Sequence, residues 1–136
     1  MKPFLHAQIS CSKWGGTPEQ YQHIHDWFDQ SKAHFADMRH RALLHSSFGI
    51  YLCEQVFGVN ITIRLENGNK KLVSVRDIGE QHCIDDLGTV PSVSDYLSGM
   101  PFYDWLGGKK KTKQVTRLSG DSVMSVDTLN RLLILD

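Results

Sequence analysis

The chemistry-bearing residues of this chain are concentrated in one run, FDQSKAHFADMRHRALLHSSFGIYLCEQVFG, from Phe28 to Gly58. It holds His34, His40 and His45, Arg39 and Arg41, Lys32, Asp29 and Asp37 in a segment otherwise apolar enough for a core helix. Two chemistries fit such a pool. Neutral imidazoles with one or two carboxylates bind zinc, manganese or iron, and an open coordination position would activate water. Arginines and lysines beside histidines instead grip phosphate or carboxylate, with Trp27, Phe35 and Tyr51 available to stack a base. Read as one helix, at about 100° per residue, His34, Asp37, Arg41 and His45 form a single stripe that continues into Phe48, Leu52 and Val56. Because the continuation is apolar, the polar stripe is expected to face inward.

Two further stretches feed the same pool. In HIHDWFD, His25 and Asp29 are one helical turn apart, and in GEQHCIDD so are His82 and Asp86, with Glu80 close by. There is no HExxH and no compact ligand pairing. Arginines in the pocket repel a cation, so the reading that follows is an anion site with no metal, lined by His25, Lys32, His34, Asp37, Arg39, Arg41, His45, Glu80 and His82. A metal-dependent phosphohydrolase is the alternative; it alone calls for a cofactor, a divalent transition metal on His25, His34, His45 or His82 beside Asp29 or Asp37. The plainest alternative is a stripe whose charges satisfy one another, against which stands the desolvation cost of buried ion pairs.

Those side chains must be held by a fold, and the composition sets its scale. The chain has 136 residues, 40% hydrophobic and 22% charged, with a formal net charge of +0, which is ordinary for one globular domain. No global field draws it to nucleic acid or an anionic membrane. Three cysteines, Cys11, Cys53 and Cys83, form no CxxC pair, so neither a disulfide framework nor a cysteine zinc site is expected. No stretch approaches the length of a membrane span, and a cytoplasmic location is expected.

The punctuation predicts an α+β, mainly helical domain with one β-hairpin. Thr17-Pro18 starts a first helix to about Phe28; a second, longer helix carries Ala33 through Phe57 and stops at Gly58. Ile61, Ile63 and Leu65 alternate before Asn67-Gly68, and Leu72, Val73 and Val75 follow it, which predicts a hairpin over about residues 60–75. Two short helices follow, ending at Gly88 and Gly99. Residues 1–106 are expected to form the compact domain. Residues 107–136 are expected to be a basic linker (Lys109, Lys110, Lys111, Lys113, Arg117) and an apolar end (Leu129 to Leu135) docking on the core or on a second copy, so that a homo-oligomer is expected.

From about Ala7 to Leu97 the chain resembles a family of small proteins of bacteriophages and mobile elements, of unknown function. The resemblance is carried by HDWFDQSKAHFADMRHRALLHSSFGIYLCEQVFGV and VRDIGEQHCIDDLGTVPSVSDYL. Its polar positions fall on His25, Asp29, Lys32, His34, Asp37, Arg39, His40, Arg41 and His45, and further on at Glu54, Glu80, Gln81, His82 and Asp86. Ser46 stands where the family pattern shows a second histidine. The resemblance implies a phage origin and a shared polar site, without supplying a reaction. In that setting the anion becomes a nucleotide-like ligand, captured to blunt a host defence pathway, and a host-protein-binding inhibitor is a further alternative.

Overall fold

The computed structural model describes residues 1–108. It opens on a helix that hydrophobic patterning does not announce. α1 (Pro3–Trp14) starts on a proline, whose missing N–H costs nothing in a first turn, and ends at Gly15 with φ 94°. Its buried residues are His6, Ala7 and Ser10, whereas Phe4 and Leu5 are each 47% exposed. The usual inside-outside pattern is inverted because this helix packs its polar stripe on the polar cluster described below.

A 3₁₀ turn at Pro18–Gln20 leads into α2 (Gln22–Asp29), which buries Ile24, His25, Phe28 and Asp29. Here the structure departs from the long second helix expected from Ala33 to Phe57. That stretch is broken into a 3₁₀ turn at Gln30–Ala33, another at Met38–His40, a single helical turn α3 (Arg41–Leu44) and a helix α4 (Ser47–Phe57). The breaks have local causes. The Asp37 carboxylate accepts the Arg39 N–H and caps the second 3₁₀ turn. His45 leaves helical geometry at φ −84°, ψ 69°, and the Ser46 hydroxyl then accepts the Gly49 N–H to begin α4 afresh. Gly49 permits the fold-back, since a Cβ at that position would run into the Leu44 carbonyl. The continuous stripe therefore does not exist: Phe48 is 50% and Val56 58% exposed, rather than turned inward.

β1 (Asn60–Arg64) and β2 (Lys70–Ser74) pair antiparallel, with Ile61 opposite Val73. Gly68, at φ 87°, supplies the turn that Asn67-Gly68 predicts. α5 (Val75–Leu87) is one helix, capped by the Ser74 hydroxyl on the Asp77 N–H and closed by Gly88 in the left-handed region. Gly79 lets it approach closely, because a Cβ there would lie 3.0 Å from Phe28 and 3.1 Å from Ile50. Tyr21, Ile24, Phe28, Ile50, Ile63, Val75 and Ile78 form the apolar core. A short α6 (Val93–Leu97) follows.

Met1–Tyr96 form one compact unit, and a second begins at Leu97. The latter contains a 3₁₀ turn at Asp104–Gly107 and a stacked Tyr103–Trp105 pair. The fold is thus α+β and mainly helical with one two-stranded hairpin among the described residues, as the sequence leads one to expect. Of the basic linker and apolar end expected over residues 107–136, all but Gly107 and Gly108 lie outside the described residues. No helix is long and apolar enough to cross a membrane.

Candidate metal centre

Four segments converge beside the core. α2 contributes His25 and Asp29, α5 contributes His82 and Asp86, each pair one turn apart, the break after α3 contributes His45, and α1 contributes His6. The side chains of His6, His45 and His82 are fully buried, and those of Asp86 and Asp29 are 1% and 7% exposed. Four donor atoms face one another: His45 Nε2, His82 Nε2, Asp29 Oδ1 and Asp86 Oδ2. The two imidazole nitrogens are 3.1 Å apart. His45 Nε2 is 3.1 Å from Asp86 and 3.5 Å from Asp29, and His82 Nε2 is 3.4 Å from each. Zinc–nitrogen and zinc–oxygen bonds of about 2.0–2.2 Å place tetrahedral donors about 3.3–3.6 Å apart, and an octahedral arrangement at the same bond lengths would draw neighbours to about 2.8–3.1 Å. The separations here sit mostly at the tetrahedral spacing.

The hydrogen-bond network fixes where the protons are. Gln81 Nε2 donates to the His6 carbonyl at 3.0 Å and to Asp85 at 2.8 Å, two groups that only accept. Its Oε1 therefore accepts the Ser10 hydroxyl at 2.5 Å. With that proton committed, Ser10 Oγ accepts from His25 Nε2 at 2.8 Å. His25 Nδ1 is then a bare acceptor, and His82 Nδ1–H donates to it at 2.9 Å. The chain of assignments ends with the His82 Nε2 lone pair aimed at two carboxylates and a second imidazole nitrogen. A lone pair held among lone pairs is unfavourable unless a cation or a proton sits between them. Several neighbours share this incompleteness: His6 Nε2, His45 Nδ1, Asp29 Oδ2 and Arg41 Nε are buried without a hydrogen-bond partner.

Electrostatics point the same way. Burial, with His82 and His6 nearby, pushes the His25 pKa down to about 2, so this ring is neutral and fit for its relay position. Burial opposes ionisation of Asp29 and Asp86, but the surrounding imidazoles outweigh it. Both carboxyls are held well below the usual range, Asp29 chiefly by His45 and His82, Asp86 by His45, His6 and His82. Burial likewise opposes charge on His45, yet Asp29 and Asp86 together raise its pKa. Two anionic carboxylates around converging nitrogens are a cation-attracting set. On the outer side, Asp86 Oδ1 meets His6 Nε2 at 3.2 Å, the Met1 ammonium at 3.0 Å and Arg41 Nη2 at 3.7 Å. Asp29 Oδ2 has Lys32 Nζ at 4.0 Å.

The model of a domain of unknown function, DUF6915, matches residues 1–106. The chain belongs to the DUF6915 family. Neither the curated proteins nor the solved structures contain a match. Every donor of the cluster lies within the matched DUF6915 region.

Of the residues expected to line an anion pocket, the DUF6915 domain brings His25, His45 and His82 into the cluster and sets Arg41 and Lys32 at its edge. His34, Asp37, Arg39 and Glu80 are exposed. Arg39 is turned to Asp37, at 2.7 Å, and lies over the Phe35 ring at 4.6 Å. His40 is buried, with Nδ1 2.9 Å from the Ser31 hydroxyl. Ser46 is occupied as the cap of α4. His6, Ser10 and Asp85 were not singled out from the sequence, although Gln81 and Asp86 fell on the family pattern. The available signal was the pairing of His6 with Ser10 one turn apart on α1, and it was masked by the outward-facing Phe4 and Leu5.

Proposed function

We propose that Asp29, His45, His82 and Asp86 bind a divalent first-row transition metal, zinc being the best fit, and that the centre serves Lewis-acid hydrolysis of a phosphate ester. The observation that carries the reading is the convergence of four buried donors at separations of 3.1–3.5 Å, one of them a histidine whose lone pair is aimed inward by a completed hydrogen-bond chain. The repulsion expected from arginines in the pocket is weaker than their number suggests. Arg39 is spent on Asp37 at the surface, and Arg41 faces the outer oxygen of Asp86, away from the inward-facing Oδ2.

Within the set, His82 is held by His25, and His45 and Asp86 are tied to α3 and α5. Asp29 Oδ2 makes no hydrogen bond and has Lys32 Nζ 4.0 Å away. Water or a substrate oxygen would enter beside the four donors as a fifth ligand, the expansion that catalytic zinc allows. A metal held by these residues would lower the pKa of a bound water and polarise a phosphoryl oxygen; in hydrolysis the water oxygen would form the new P–O bond, the ester P–O bond would break, and the water's proton would pass to the leaving alkoxide to give the alcohol. This reading is favoured over passive capture of a nucleotide-like ligand because capture does not require buried donors directed at one point.

Metal analysis of protein purified without chelator and without an affinity tag tests it. About one equivalent of zinc, manganese or iron per chain is expected, falling in His82→Ala and Asp86→Asn. Wild-type protein that takes up no metal on titration, with no gain in p-nitrophenyl phosphate hydrolysis, overturns the proposal.

A further inference from the structure

We infer that the centre is selective for phosphate monoesters, whose dianion is bound by Arg41 and Lys32 once the metal is in place; the inference rests on the metal reading above. Arg41 Nη2 leans on Asp86 at 3.7 Å and Lys32 Nζ on Asp29 at 4.0 Å, both beyond hydrogen-bonding distance. Arg41 Nε is buried and has no acceptor. A divalent ion takes the charge of the same two carboxylates through their inner oxygens, Asp86 Oδ2 and Asp29 Oδ1. Arg41 and Lys32, and with them the Met1 ammonium 3.0 Å from Asp86 Oδ1, then lose their compensation together. Arg41, with its side chain 17% exposed, is largely removed from water, where an uncompensated charge is costly.

What fits is an anion with about two negative charges and several acceptor oxygens, which is a phosphate monoester at neutral pH. A diester carries one charge and matches fewer of these cations. Arg41 presents a planar fork suited to two phosphate oxygens, and Lys32, on the 3₁₀ turn that follows α2, a mobile point charge. Metal and anion thus bind with positive coupling: the metal frees the cations, and the anion offsets them.

The test uses zinc-loaded and chelator-treated full-length protein with inorganic phosphate as the probe, by calorimetry. Phosphate is expected to bind the zinc form and not the zinc-free form. Arg41→Gln is expected to weaken it about ten- to hundredfold, as for loss of hydrogen bonds to a charged group, while zinc content is retained. Lys32 is exposed, so Lys32→Gln tests the same point without threatening the fold. In turnover, p-nitrophenyl phosphate should be preferred over bis(p-nitrophenyl) phosphate, and the preference should shrink in both variants. Protein that takes up no zinc overturns both readings. Zinc uptake with phosphate affinity and ester preference unchanged in both variants overturns this one alone.

Discussion

Asp86→Asn is the most informative single perturbation of the centre, because Asp86 serves both its metal-free and its metal-bound states. Its carboxylate faces His6, His45, His82 and Arg41 with a side chain only 1% exposed. Removing one member of such a buried charged set costs about 3–5 kcal/mol, a large part of the stability of a small domain. In the metal-bound state the same carboxylate is a ligand through Oδ2. If zinc is supplied at about a thousandfold over its Kd, it stabilises the wild type by about 4 kcal/mol. For a unit of about a hundred residues that is a rise in Tm of about 15–30 °C. An amide in place of the carboxylate removes the ligand's charge, and a hundredfold loss of affinity reduces the increment to about 1.4 kcal/mol, or about 5–10 °C. The assay is thermal unfolding by circular dichroism for both proteins, each in chelator and in zinc. The discriminating quantity is the zinc-induced increment, since the lower starting Tm of the variant is expected whatever the site does. Equal increments in wild type and variant, or none in either, would refute the reasoning.

Three further outcomes follow from the geometry. In metal-free protein, stability should fall as pH drops below 6.5, by about 1.4 kcal/mol per pH unit from His25 alone, because the unfolded chain takes up a proton that the native ring, with its pKa near 2, refuses. Urea unfolding at several pH values checks the slope, and His25→Asn should flatten it between pH 6 and pH 4. The raised His45 pKa acts in the opposite sense: its contribution is complete below the unfolded value of 6.5 and is lost as pH rises through the folded one. Gly49→Ala should cost about 3 kcal/mol or more, seen as a lowered denaturation midpoint with an unchanged m-value, because its Cβ meets the rigid Leu44 carbonyl and not a yielding side chain. Arg39→Ala, which removes an exposed pair with Asp37, should leave Tm, zinc content and phosphate affinity unchanged; a loss of phosphate binding would show that the anion sits on the surface face of the Met38–His40 turn.

The element types were legible where local chemistry decides them. Asn67-Gly68 between alternating apolar residues gives the hairpin, and the glycines at 58 and 88 mark helix ends. The long second helix was misread because its breaks depend on side chains acting on the backbone. Asp37 and Ser46 compete for N–H groups as caps, and Gly49 reads as an ordinary apolar-helix residue until the backbone packed against it is known. The error passed on to the site: a continuous helix aligns His34 and Asp37 with Arg41 and His45, whereas the real chain separates them. The pairs that survived, His25 with Asp29 and His82 with Asp86, each lie within one unbroken helix, where a spacing of four residues has a fixed meaning.

The same contrast bears on why so much titratable chemistry is tolerated in a small core. Fully buried imidazoles and carboxylates are a poor exchange for leucine if they only pair with one another. The network does not in fact close on itself, since His6, His45, Asp29 and Arg41 each keep a buried atom without a hydrogen-bond partner. A purely structural arrangement would be expected to satisfy those atoms, as Ser10, His25 and Gln81 are satisfied a few ångströms away. The satisfied half of the cluster is the part that orients His82. The atoms without a partner, among them His45 Nδ1 and Asp29 Oδ2, are not the ones that converge, so the argument for a metal rests on the convergence itself: two imidazole nitrogens and two carboxylate oxygens, His45 Nε2, His82 Nε2, Asp29 Oδ1 and Asp86 Oδ2, are held buried around one point.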